Sequence, residues 1–107
     1  MAYRFKSRAT GDMVMLDQTA RQVLDILGKD TQGPGILLPE QMPAAVAALQ
    51  AAVQEAESDR ARQVQEAEAK GERAPEPESV SLRMRVAPLI EMIRRSEAEK
   101  AEIVWGV

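Results

Sequence analysis

The chain opens on strict alternation: Tyr3, Phe5 and Ser7 fall between Arg4, Lys6 and Arg8, the period-two pattern of a strand with one buried face. Met13 to Leu16 is a second short apolar segment. Between the two, Ala9-Thr10-Gly11 has the length of a three-residue hairpin loop, with Gly11 free to take a positive φ. A β-hairpin is predicted. A short helix follows it, capped by Asp17, with Ala20, Val23, Leu24 and Leu27 on one face. Gly28 stands where a left-handed residue ends a helix, and Lys29 lies near the negative end of the dipole. Two glycines around Pro34 make Thr31 to Gly35 a loop.

Ile36-Leu37-Leu38 is either a very short strand or a segment that plugs the core. Pro39 and Pro43 each suit the first position of a helix, where a missing N–H is harmless. A single turn over Pro39–Met42 is expected, then a helix from Pro43 with Val46, Leu49 and Val53 as its apolar stripe. Neither proline nor glycine interrupts Ala44 to Lys70, a stretch of 27 residues that would reach about 40 Å as one helix. The stripe stops earlier: between Gln54 and Glu78 the only large aliphatic residue is Val64. Pairs such as Glu66 with Lys70 stabilise a helix by only about 0.2–0.5 kcal/mol each. Fraying past Ser58 is therefore expected, with Gly71 to Glu78 a disordered acidic linker.

Val80 to Val86 fits two periods. Val80, Leu82, Met84 and Val86 alternate as in a strand, yet Leu82, Val86, Leu89, Ile90 and Ile93 also line one helical face. Helix is favoured, because it keeps the stripe continuous and Ser81 supplies a cap. Its cost is Pro88, which clashes with the Met84 carbonyl and predicts a kink near Met84 or a fresh start at Pro88. Ile103 to Val107 closes the chain as a strand running to the final residue. The pattern as a whole predicts one α+β domain over residues 1–107, with a charged, partly disordered helical extension and linker at about 58–78. Its sheet has three strands, the N-terminal hairpin plus the C-terminal strand, with about three helices packed on one face.

Charge sharpens this division. The net charge of −3 is concentrated in residues 54–78, which carry eight acids and four bases, so the remaining residues sum to +1. Neither part has the basic excess of a dedicated nucleic-acid binder. Signal-peptide and membrane-spanning patterns are absent, and a cytoplasmic protein is the expected reading.

Hydrophobic residues make up 45% of the 107, charged residues 29%, and neither histidine nor cysteine occurs. Disulfides, thiolate nucleophiles and metal sites built on nitrogen or sulfur ligands are thereby excluded. The serines at 7, 58, 79, 81 and 96 lack a histidine to activate them, and Gly33-Pro34-Gly35 lacks the Gly-Lys-Ser/Thr end of a phosphate loop. Asp25, Glu40 and Glu91 are carboxylates that a fold could pair, but Glu91 precedes Arg94 and Arg95 by helical spacings that suggest a surface ion pair. The residues therefore predict no catalytic set, no cofactor and no metal.

Three aromatics exist, Tyr3, Phe5 and Trp105, all in the two terminal strands. A cross-strand core cluster is expected of them rather than a base-stacking platform, because Arg4, Lys6 and Arg8 point to the opposite face. Those three cations form a basic row that keeps a sheet face solvated. They would contact an anion only if partners such as Arg83, Arg85, Arg94 or Arg95 converge on them. Ala44–Ala56 is smooth enough to pack another helix, which makes Ala48 and Ala52 a candidate partner face and a homodimer the expected state.

Tyr3-Arg4-Phe5-Lys6-Ser7 and Gly11-Asp12 with Val14-Met15-Leu16 resemble a small bacterial family known only as a domain of unknown function, DUF eighteen-forty. So do Pro39-Glu40-Gln41-Met42-Pro43-Ala44-Ala45, Ser81-Leu82-Arg83, Pro88-Leu89-Ile90-Glu91-Met92 and Ile103-Val104-Trp105-Gly106-Val107. The resemblance implies a compact cytoplasmic bacterial protein and brings no activity, cofactor or catalytic residue. Leu38 departs from it, standing where the family would place a small polar capping residue. The functional expectation is a non-enzymatic interaction or regulatory module, with an anion- or nucleic-acid-binding module on the basic strand face as the alternative. Membrane association is not expected.

Overall fold

The computed structural model describes residues 2–76 and 80–106. The elements run β1 (Ala2–Ser7), β2 (Gly11–Leu16), α1 (Asp17–Ile26), β3 (Gly35–Leu37), a 3-10 turn (Pro39–Gln41), α2 (Met42–Ala69), α3 (Leu82–Ala98) and β4 (Ile103–Trp105). The strands form one antiparallel sheet in the order β2-β1-β4-β3.

The sheet thus has four strands rather than three. Ile36-Leu37 is the extra one, pairing with Val104 and Ile103. Three residues are too few to display a period, and what makes this strand possible is Gly35. It lies opposite Trp105, and a Cβ on it would come within 2.3 Å of the indole Cζ2. The missing side chain leaves the space into which the ring folds, as when an aromatic covers a cross-strand glycine.

Tyr3, Phe5 and Ser7 face the helices, as do Met13 and Met15 across the hairpin. The hairpin loop is Arg8-Ala9-Thr10, one residue earlier than expected; Gly11 is the first residue of β2 and takes φ +81°. Phe5 and Trp105 are directly opposed in β1 and β4, both buried, with ring centroids 5.7 Å apart and planes tilted by 52°. Tyr3 is half-buried against this cluster, and its hydroxyl donates to the Thr31 carbonyl. The core is completed by Ala20, Val23 and Leu24 of α1, Met42, Val46, Leu49 and Val53 of α2, and Val86, Leu89, Met92 and Ile93 of α3.

Asp17 does not cap α1. Leu16 occupies the cap position in extended backbone, and Asp17 is the first helical residue, ion-paired with Arg21 at 3.1 Å. A strand that leads straight into a helix leaves no loop residue to act as cap, and an acid in the first turn meets the positive helix end instead. The start of the 3-10 turn at Leu38 also lacks a side-chain cap, and Gln41 compensates. Its Oε1 accepts from the Leu38 N–H at 3.0 Å and from Lys29 Nζ at 3.2 Å. Ser81 caps α3 as expected, accepting from the Met84 N–H at 3.2 Å.

One helical expectation is corrected, and one alternative of another is removed. The second helix begins at Met42 and does not fray past Ser58; it continues to Ala69. There the Gly71 N–H bonds the Glu68 carbonyl and the Glu72 N–H bonds that of Ala67, with Gly71 at φ +68°. This left-handed closure stops the helix cleanly. Arg60 donates to the Pro75 carbonyl, and Arg83 on α3 grips Glu57 with Nε–Oε2 at 2.8 Å and a second bond at 2.9 Å. These contacts tie the start of the extension to α3 and to the segment that follows α2. The third helix is a single element through an exposed Pro88, without a fresh start there. Of the expected linker, residues 77 and 78 lie outside the described residues. The closing strand ends at Trp105; Val107 is also outside them.

Candidate functional site

All three helices lie on the Phe5–Trp105 face, so the other face of the sheet is open. Register sets its composition. One row runs Asp12, Lys6, Val104, Ile36 across all four strands; beside it stand Val14 with Arg4, and Leu16 with Ala2. Leu16 is 75% exposed, Val14 57% and Ile36 42%. Charge and aliphatic surface are thus interleaved, with the cations on the inner strand and the most exposed aliphatics on the β2 edge. Arg4 reaches diagonally to Asp12, NH1–Oδ2 3.2 Å.

Arg4 and Lys6 share the open face as their alternation requires, but Arg8 is in the hairpin loop and leaves the row. The arginines suggested as converging partners do not converge. Arg83 is held by Glu57, and Arg85 donates to Gln22 Oε1 at 3.0 Å. Arg94 lines a groove of about 450 Å³ between α2 and α3. Arg95 lines a smaller hollow beneath the hairpin end with Thr10, Asp12 and Met13.

The residue that joins Arg4 and Lys6 is instead Arg21 of α1. All three line an open cleft of about 490 Å³ at the end of the sheet, together with Tyr3, Asp17, Gln32 and Gly106. Three cations and one carboxylate give the cleft an anion-attracting bias, although Arg21 and Arg4 each already face an aspartate. Arg21 was hidden in the sequence because an i,i+4 partner of Asp17 reads as a surface ion pair, and its approach to β1 depends on how α1 folds back.

Ala48 and Ala52 are both half-buried within the chain's own packing, flanking the stripe of Ala45, Leu49 and Val53. The exposed alanines of that helix stretch are Ala44, Ala47, Ala51 and Ala56. The interior also holds a pair of polar side chains. Ser7 and Ser96 are buried with their Oγ atoms 2.7 Å apart, and Ser7 Oγ also accepts from the Ala9 N–H. Its signal in the sequence was a serine at a core position of each element.

The Glu57 carboxyl is held below its ordinary 4.5 by the hydrogen bond from Arg83 and by that residue's charge, while Arg83 is raised by the same contact. Among the described residues, no group of three or more acids is placed to hold a metal ion, and no helix is long and apolar enough to cross a membrane.

A family model described as Domain of unknown function (DUF1840) matches residues 1–105. The chain belongs to that family. The match takes in all four strands of the DUF1840 sheet and both strands of its hairpin edge. No curated protein and no solved structure matches the chain.

Proposed function

We propose that the protein is a small, non-enzymatic interaction or regulatory module of the bacterial cytoplasm that works as a homodimer. The observation that carries this reading is the open sheet face, where Leu16 and Val14 are well exposed beside Ile36 and a short basic row. Exposed aliphatic side chains on an ordered edge strand gain when the side chains of a further strand pack beside them. The partner surface moves accordingly from Ala48 and Ala52, half-covered by their own chain, to the sheet. Light scattering over a range of concentrations tests the proposal: a dimer at micromolar concentration, little changed by salt, supports it. A monomer at several hundred micromolar ends it.

The second reading is an anion- or nucleic-acid-binding module, and the cleft shared by Arg4, Lys6 and Arg21 favours it. Contacts to phosphate release counterions, so affinity for a single-stranded oligonucleotide would fall steeply as salt rises. Salt-independent or absent binding discards this reading and leaves the first untouched.

A further inference from the structure

The two edges of the sheet are not treated alike. The β3 edge has only three residues and is flanked by Pro34 and Pro39, whose rings deny hydrogen bonds to an incoming strand. The β2 edge has six, Gly11-Asp12-Met13-Val14-Met15-Leu16, with neither proline nor lysine, and among the described residues it pairs with β1 alone. Its outward residues Val14 and Leu16 are the exposed aliphatics of that edge. An edge whose only charged residue is Asp12, near its start, and whose remainder is apolar is a template for a further strand.

We propose that β2 pairs antiparallel with β2 of a second copy of this chain about a two-fold axis, joining two four-stranded sheets into one of eight. This rests on the homodimer reading and names its surface. The register follows from length and charge. Centring Val14 on its symmetry mate pairs Asp12 with Leu16 and Met13 with Met15, so every residue from Asp12 to Leu16 is used and no like charges are opposed. Shifting the centre to Met13 leaves Leu16 unpaired, and shifting it to Asp12 sets two carboxylates face to face, which destabilises a sheet. In the Val14-centred register each Arg4 is one strand back from the seam. Its symmetry mate is three strand spacings away, about 14 Å, beyond the Debye length of about 8 Å at physiological salt. Each Arg4 also keeps its own Asp12. Stacking the two open faces instead would bring the two basic rows together. The occupant this edge fits is therefore a second copy, paired side by side.

The absence of cysteine from the chain makes the test direct. Residues opposed across an antiparallel seam have Cα atoms about 4.5–5.5 Å apart, within the disulfide range of roughly 4.4–6.8 Å. Under mild oxidation Val14→Cys is expected to become a covalent dimer, while Ala51→Cys, exposed on α2, stays uncrosslinked. Val14→Lys, which opposes two cations on the two-fold axis, and, separately, Leu16→Glu, which opposes the Asp12 carboxylate of the second copy, are expected to weaken association at least tenfold. Both positions are solvent-exposed, and unchanged Trp105 fluorescence verifies that each variant folds. A dimer that survives both Val14→Lys and Leu16→Glu and does not crosslink at Val14→Cys overturns the edge pairing and leaves the homodimer reading standing. A wild-type monomer at high concentration overturns both. A monomer that captures an unrelated strand-forming peptide on β2 also overturns the proposal, because the occupant is then not a second copy.

Discussion

The hydroxyls of Ser7 and Ser96 meet at 2.7 Å in the interior, tying the inward face of β1 to the last turns of α3. A buried hydroxyl without a partner loses its bonds to water and regains nothing, so each serine makes the other tolerable. Ser96→Ala is expected to lower stability by about 1 kcal/mol. The double variant Ser7→Ala/Ser96→Ala should cost less than the sum of the two single changes. Urea unfolding of the three variants measures the coupling; strict additivity would show that the two hydroxyls do not interact.

Trp105 and Gly35 form the second dependence. Because a Cβ at position 35 would sit 2.3 Å from the indole, Gly35→Ala forces the ring or β3 to move. The expected loss is about 1–3 kcal/mol, as for an overpacked core, with a red shift of tryptophan emission as the ring meets water. Trp105→Ala should cost more, about 3–5 kcal/mol, because it leaves a cavity. Free-indole emission from the wild-type protein would contradict both expectations.

Lys100 is the one non-glycine residue with positive φ among the described residues, at +54°. It occupies the left-handed position after α3, where its N–H bonds the Glu97 carbonyl and the Ala101 N–H bonds that of Ser96. The equivalent positions after α1 and α2 are Gly28 and Gly71. A side chain there costs roughly 1 kcal/mol. Lys100→Gly is therefore expected to raise stability by about 0.5–1 kcal/mol, visible as a higher Tm, and Lys100→Val to lower it.

The Glu57–Arg83 pair makes the extension of α2 sensitive to acid. The carboxyl is lowered in the folded protein, so its contribution is fully present above the ordinary 4.5 and is lost as pH falls through the lowered value. Both side chains are well exposed, which keeps that contribution small. Carboxyl NMR should place the Glu57 midpoint below 4.5, and Arg83→Lys should move it back toward 4.5, since an ammonium cannot grip both oxygens at once. A wild-type midpoint at the ordinary 4.5 would show that the contact is not formed in solution.

Deleting residues 58–78 and bridging the ends with a short flexible link should leave the folding transition nearly unchanged. None of these residues belongs to the central hydrophobic cluster. A loss above about 2 kcal/mol, the scale of lost core packing, would mean that the segment is part of the core.

What could be read ahead of the structure follows from where each signal is local. The hairpin, the Phe5–Trp105 pairing and the Ser81 cap announce themselves through alternation, composition and position. Gly35 does not, because its meaning depends on an indole seventy residues later. The course of α2 beyond Ser58 was hidden for a related reason: the contacts that border it, Glu57 with Arg83 at its start and Arg60 with the Pro75 carbonyl within it, join residues far apart in the sequence. Of the basic row, Arg4 and Lys6 were legible from the strand period, while Arg8 fell into the loop through a one-residue shift. Arg21 was illegible, since nothing along α1 says that it will return beside β1.

The order in which the strands are made differs from the order in which they are placed. As β4 lies between β1 and β3, the strand synthesised after all the others is the one that joins the sheet's two halves. A nascent chain that has emerged only as far as α3 can form the hairpin, but β3 has no neighbour and Phe5 lacks the indole that packs beside it. Contacts of such long sequence separation close slowly. Until β4 is free, β1 shows a second open edge on the side where β4 will sit. The interval between emergence of the hairpin and emergence of β4 is therefore when this protein is most exposed to mispairing, and when a chaperone that shields strand edges would help it most.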